Sequence, residues 1–220
     1  MSTPARRRGD GRFRYGGVLL LTLAVAIFAL IAPEGRGART LELLAAGATL
    51  LVAVLTSRAP ATTRRAAGGG LAVGVLGAGV VATFGHPHPA LTLAATALLL
   101  AATAGVILAG LVRLVIERGV VLLAVFGALA VYMLVGLGFA FLIGTLATAG
   151  SGPYFASGTD ATQSARVYFS FTALTTTGFG DYTAATRGGR ALVVLEMLVG
   201  QLYLVTVIAT LVGNLRHQQR

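Results

Sequence analysis

The clearest candidate for chemistry is the run 175–182, which reads T-T-T-G-F-G-D-Y. Moving a cation through lipid requires oxygen atoms to replace its hydration shell, and a row of backbone carbonyls facing one axis can supply them. Such a row needs successive residues to alternate in hand, and Gly178 and Gly180 permit positive φ without a Cβ penalty. The Thr176 hydroxyl adds one more oxygen at the inner end of the run. Because one strand cannot surround an ion, the pattern predicts four symmetric copies.

This run resembles the selectivity filter of the potassium channel family. The filter would be Thr176, Thr177, Gly178, Phe179 and Gly180. The resemblance covers 119–215 and is to the bacterial pore-loop type with a two-helix pore module (ion channel 2 type), here with four additional N-terminal transmembrane helices. It implies a homotetrameric, potassium-selective ion channel subunit that conducts K+ passively. K+ would sit at Thr176, Thr177, Gly178 and Phe179, with no cofactor besides the permeant ions.

The resemblance also implies roles for residues around the filter. Asp181 would lie at the outer mouth, and Tyr168 and Phe169 would pack as a cuff that supports the filter. Thr172 stands where some family members have a carboxylate that pairs with the aspartate after the filter, so Asp181 must find another partner. Phe179 replaces the commoner tyrosine, which removes a hydroxyl able to bond to the pore helix.

The last apolar run contains a carboxylate and a glycine one turn apart, Glu196 and Gly200. A carboxylate within the membrane is costly and needs a partner. We therefore expect Glu196 behind the filter, hydrogen-bonded to the pore helix, as a structural support. Gly200 matches the family's gating glycine, and since a helical glycine costs up to about 1 kcal/mol relative to alanine, either a bend or a close helix contact is expected there.

The composition is that of an integral membrane protein. Hydrophobic residues make up 56% of the 220 positions, charged residues only 11%, and mean hydropathy is +0.84, whereas soluble domains are about 25% charged. The net charge of +10 comes from arginines in tails and loops, which argues against nucleic-acid binding. The absence of cysteine excludes disulfides and thiolate metal sites.

Apolar segments predict an all-α membrane protein with six transmembrane helices, because about 20 apolar residues cross a bilayer. The predicted spans are 17–32, 41–56, 69–84, 90–111, 119–146 and 189–215. A shorter apolar and aromatic run predicts a re-entrant pore helix at 161–175, with the filter loop 176–180 behind it. Asp160 is expected to cap this helix, with Gln163 as its capping-box partner.

The arginine distribution predicts the orientation. With the N-terminus cytoplasmic, twelve arginines lie inside and five outside, which follows the positive-inside rule. The predicted domains are a basic cytoplasmic tail (1–16), a four-helix transmembrane domain (17–118), the pore domain (119–215) and a cytoplasmic tail (216–220). We expect a multi-pass protein of the cell membrane, a bacterial plasma membrane, in contact with lipid. Whether a separate regulatory subunit exists is left open.

Four other interpretations are weighed against this one. The stretch 90–112 has no charge and only Arg113 follows it, so the arginine series of a voltage sensor is missing. A non-selective monovalent cation channel, or a channel-like subunit of a potassium uptake system, remains an alternative function. An intramembrane enzyme needs paired catalytic groups, and Glu196 has no such partner in the sequence, so no enzymatic activity is expected.

Overall fold

The computed structural model describes residues 15–57, 61–62, 65, 68–69, 71–72, 89–119 and 122–217. Its elements in this part of the chain are six α-helices. They are α1 (Tyr15–Ile31), α2 (Arg36–Thr56), α3 (Pro89–Arg118), α4 (Leu122–Ala149), α5 (Gln163–Leu174) and α6 (Arg187–His217). The one extended pairing within these ranges is an isolated antiparallel bridge between Phe155 and Ala184.

Four of the helices, α2, α3, α4 and α6, are long and apolar enough to cross a membrane. This is therefore a membrane protein. Helix α1 has 17 residues, or about 25 Å at 1.5 Å per residue, slightly less than a hydrocarbon core of about 30 Å. The predicted third span at 69–84 lies almost wholly outside the described residues, as do most of the basic tail and the last three positions. The six-span count accordingly stays a prediction.

The boundaries in the pore region differ from the predicted ones by one to three residues. The outer helix is shifted toward the C-terminus, the inner helix is longer at both ends, and the pore helix α5 is shorter at both ends. The predicted cap at Asp160 is wrong. Thr162 is the N-cap and its hydroxyl accepts from the Ala165 N–H, because the Asp160 carboxylate instead accepts the Tyr154 N–H at 2.8 Å within the preceding loop.

The helices pack so that the N-terminal part of the chain lies against the pore region. Helix α3 runs along α4 in the most extensive interface, and α1 contacts both α4 and α5. Threonine hydroxyls inside the apolar segments bond to carbonyls one turn earlier, as Thr22 does with Val18 and Thr103 with Leu99. This local pairing satisfies polar groups that lipid cannot. Helix α5, the predicted pore helix, thus packs against α4 and α6 and also contacts α1.

Candidate functional site

One face of helix α5, the rear face, packs against the rest of the subunit. The opposite face, the front face, is partly exposed. Val167, Ser170 and Leu174 are fully or almost fully buried on the first face, while Tyr168 on the other is about a third exposed. Below the last turn, the Thr175 N–H donates to the Phe171 carbonyl at 3.0 Å. The helix therefore ends immediately before the predicted filter, with its carbonyl end toward that segment.

Backbone hydrogen bonds tie the start of the filter segment to the end of α5. The Thr172 carbonyl accepts from the N–H groups of Thr177 (2.9 Å) and Gly178 (3.1 Å), and the Ala173 carbonyl accepts from Thr176 at 2.9 Å. The hydroxyls of Thr175 and Thr177 lie 2.9 Å apart. These bonds fix the direction in which the chain leaves the helix.

The segment alternates in backbone hand. Positive φ occurs at Thr176 (58°), Gly178 (52°) and Gly180 (82°), and the residues between them are not in that region. The conformational expectation for the two glycines is confirmed. Thr176 was not expected there, since positive φ is rare for a β-branched residue. The alternation thus starts two residues earlier than the glycines alone indicated.

The described part of the chain leaves the front of this segment largely uncovered. Residues 175–181 are all exposed within the single chain, and Phe179 is 68% exposed. The Phe179 ring stacks on Tyr168 with centroids 6.2 Å apart and planes 3° from parallel. Of the predicted cuff, Tyr168 therefore lies against the filter side chain.

The side chain that interacts with Asp181 is Tyr168, and not Thr172, which stands where some potassium channels have a carboxylate. The interaction between Tyr168 and the Asp181 side chain is electrostatic. Thr172 donates instead to the Phe169 carbonyl of its own helix at 2.8 Å. Tyr168 consequently contacts both Phe179 and Asp181 and links the middle of the filter segment to its outer end.

Phe169 packs into an aromatic cluster at the rear of the segment. Phe155 lies edge-to-face against Phe169, Tyr182 and Tyr154, with centroids 5.0 to 5.2 Å apart. Such pairs contribute about 0.5–1.5 kcal/mol beyond area burial. Sequence reasoning missed Tyr154 and Phe155. Two adjacent aromatic residues directly after the Gly152-Pro153 turn, in an otherwise small and polar loop, were the available signal.

Glu196 on α6 is fully buried and reaches the rear face of the pore helix. Its Oε1 is hydrogen-bonded to the Ser170 hydroxyl, and that hydroxyl also lies 2.6 Å from the Gly136 carbonyl oxygen of α4. The second carboxyl oxygen, Oε2, is buried without a hydrogen-bond partner. Ser170 was also missed from the sequence, although it is a polar residue within the aromatic run of α5.

Gly200 lies where α6 comes closest to the pore helix. A Cβ at this position would be 2.2 Å from the Leu174 carbonyl oxygen and 2.9 Å from Leu174 Cδ1. The same carbonyl accepts the Tyr132 hydroxyl of α4 at 3.2 Å. Close contact therefore accounts for the glycine, and its role as a gating hinge stays a prediction.

Comparison with known protein families gives a match that covers this part of the chain. Residues 119–217 match the ion channel family. The match extends from just before α4 to the end of α6, somewhat less than half of the chain, and includes α5 and the exposed segment. No curated protein and no solved structure matches the chain.

The region that matches the ion channel family meets the N-terminal helices at the start of α5, a contact that the sequence did not reveal. Glu34, in the α1–α2 turn, accepts the Gln163 N–H and lies 3.8 Å from the Arg39 guanidinium. Arg166 is buried one turn further on and interacts electrostatically with both Glu34 and Glu42. A carboxylate at a helix N-terminus is stabilising, so the α1–α2 turn helps to hold the pore helix.

Among the described residues, no three His, Cys, Asp or Glu side chains come together as a metal site. The segment 176–180 offers oxygen atoms of another kind, namely its backbone carbonyls and the hydroxyls of Thr176 and Thr177.

Proposed function

We propose that this protein is a subunit of a homotetrameric, potassium-selective channel that conducts K+ passively through the segment 176–180. The observation that carries the proposal is the alternation of backbone hand at Thr176, Gly178 and Gly180, in a segment tied to the end of the pore helix and exposed in the single chain. It lies inside the region that matches the ion channel family. Asp181 would lie at the outer mouth.

The proposed mechanism replaces water by protein oxygens. Carbonyls of residues 176–179 and the Thr176 hydroxyl would form successive rings around K+ in four subunits. The C-terminal end of α5 carries the negative end of the helix dipole, which favours a cation near it. Tyr168, which interacts with Asp181 and stacks on Phe179, would keep the segment from collapsing or widening.

The distribution of burial supports the tetramer. In the apolar stretch of α4, 50% of the residues are buried within the subunit, but in that of α6 only 17% are. Lipid alone could cover apolar side chains, but it cannot complete ion cages for polar oxygens that face out of the subunit. Four copies with α6 and the filter segment toward a common axis would cover both.

We also propose that the channel lies in the cell membrane with both termini cytoplasmic and that voltage does not gate it. The alternatives, a non-selective cation channel and a subunit of a potassium uptake system, share the pore region and differ in what they transport.

Native mass measurement and vesicle flux test the proposal together. The purified protein should have about four times the subunit mass of 22.4 kDa. In vesicles loaded with K+ it should release K+ down its gradient without ATP or a counter-ion gradient. A dimer or trimer as the sole species contradicts the assembly. Na+ release at the same rate supports the non-selective alternative, and K+ movement only with an energy source supports the uptake system.

A further inference from the structure

The buried contact among α4, α5 and α6 contains more acceptor atoms than protons if Glu196 is ionised. Ser170 Oγ lies within hydrogen-bond distance of two oxygens, the Gly136 carbonyl and Glu196 Oε1. A serine hydroxyl has a single proton to donate, and a carbonyl can only accept. An ionised carboxylate is also purely an acceptor, so one of the two short contacts would then join two oxygen lone pairs with no proton between them.

We propose that Glu196 is protonated and positions the pore helix through a relay in which its O–H donates to Ser170 Oγ and the Ser170 O–H donates to the Gly136 carbonyl. Every short contact then has one proton. The unpartnered Oε2 becomes the carbonyl oxygen of a neutral acid. Leaving that atom unpaired costs far less than burying an uncompensated charge.

Within the described ranges, the groups around the relay do not supply a compensating positive charge. Tyr154, on the loop before α5, is close enough to interact with Glu196, and burial raises the pKa of Tyr154 to about 12, so it is neutral as well. Arg166 lies one turn before Ser170, and its guanidinium is against Gly144 in the cluster with Glu34. Arg190 on α6 donates to the Ala184 carbonyl.

The relay lies directly behind the residues that set the filter geometry. Ser170 is one turn before the end of α5, where Leu174 touches Gly200 and Thr172 holds two filter N–H groups. When hydroxide removes the Glu196 proton as water, the Ser170 proton turns to the new carboxylate and the bond to Gly136 is lost. The pore helix then loses this hydrogen bond to α4 and gains a buried charge beside it. Alkaline pH should accordingly reduce conduction, a consequence that rests on the proposed channel function.

Infrared spectroscopy tests the proton without relying on transport. The difference spectrum between wild type and Glu196→Gln, in lipid at neutral pH, should contain the C=O band of a carboxylic acid and no carboxylate band. Ser170→Ala should shift that band to higher frequency, because the acid loses its acceptor, whereas Ser164→Ala, a half-buried serine of the same helix, should leave it in place. A carboxylate band in place of the acid band at neutral pH overturns the proposal.

The pH profile of K+ flux tests the positioning role. Wild-type flux should fall as the acid band disappears at alkaline pH. Glu196→Gln, whose amide can donate the same bond to Ser170, should conduct with no such fall, and Glu196→Leu should conduct poorly at every pH. Identical profiles for wild type and Glu196→Gln overturn the positioning role. An acid band in tetramers that carry no K+ flux leaves the protonation intact and refutes the proposed function instead.

Discussion

The two faces of the pore helix differ in how completely one chain satisfies them. On the rear face Ser170 and Leu174 are fully buried, and the hydroxyl and carbonyl there bond to α4 and α6. On the front face Tyr168 is about a third exposed and stacks on Phe179 of the following segment, which is 68% exposed, and Tyr168 also contacts Tyr182. The rear face is therefore buried within one subunit, whereas the front face has polar oxygens and aromatic rings that remain exposed in a single subunit.

This difference separates the rear contacts, which form within one subunit and serve its folding, from the front groups, which are left for contacts between subunits. Rear contacts fix where the helix ends and where the filter segment begins, so substitutions there should act on stability and on the opening of the pore. Front geometry is set by backbone conformation, and substitutions there should act on ion passage while the subunit still folds. The following substitutions separate the two faces.

The largest effect is expected from Gly180→Ala on the front. The added Cβ meets no atom within 4 Å, but φ at this position is 82°, which an alanine rarely adopts. Potassium flux should fall to the level of empty vesicles while the tetramer persists. Gly188→Ala, also with open space but an ordinary φ, should conduct as wild type does. Selective K+ flux through Gly180→Ala tetramers would refute the filter assignment.

Gly200→Ala probes the rear and should have an intermediate effect. Its Cβ would meet the Leu174 carbonyl at 2.2 Å, so α6 must move, at a cost of about 1–3 kcal/mol typical of overpacking. Thermal unfolding should occur at lower temperature and single-channel open probability should change, with the K+/Na+ permeability ratio retained. Gly138→Ala on α4, with nothing within 4 Å, is the matched control. A changed ratio with unchanged open probability would argue against a hinge.

Glu34→Gln tests the outer end of the rear face, where the α1–α2 turn meets α5. The substitution removes the charge that accepts the Gln163 N–H, and the loss of a carboxylate at a helix N-terminus costs about 0.3–1 kcal/mol. The melting temperature should fall by a few degrees at most. Glu117→Gln at the end of α3 removes an equal charge and should have less effect. Equal melting temperatures for wild type and Glu34→Gln would mean that this turn does not hold the pore helix.

The smallest effect is expected at Arg113, far along the chain from either face. Moving one elementary charge through the membrane field contributes about 2.3 kcal/mol per 100 mV, and a single arginine after an uncharged stretch cannot build a steep voltage response. Arg113→Gln should leave the slope of the conductance–voltage relation as it is. A steep relation that flattens in this variant would show that a voltage sensor exists.

The sequence predicted those features whose cause is local. Gly178 and Gly180 predicted positive φ because glycine adopts it without a Cβ penalty. Long apolar runs predicted helices because a segment that crosses lipid must satisfy its own backbone hydrogen bonds. What it could not predict depends on contacts between distant segments. Thr162 caps α5 because the Asp160 carboxylate already accepts a hydrogen bond from the Tyr154 N–H.

The missed residues of the site share the same reason. Ser170 and Arg166 lie in the same short helix, and no neighbouring residue in the sequence indicates their partners. Ser170 faces Glu196, and Arg166 faces the α1–α2 turn. Only the packing of α1, α4 and α6 around α5 brings these partners together. Buried polar pairs between helices are therefore the features most dependent on the structure.

The reversal potential under bi-ionic conditions tests the central claim, potassium selectivity at the front of the pore, most directly. With K+ on one side of a planar bilayer and Na+ on the other, the account predicts a shift beyond about 59 mV, the value for a tenfold preference between monovalent ions, with the sign of K+ selectivity. A reversal potential near zero in conducting tetramers would contradict it and identify a non-selective cation pore.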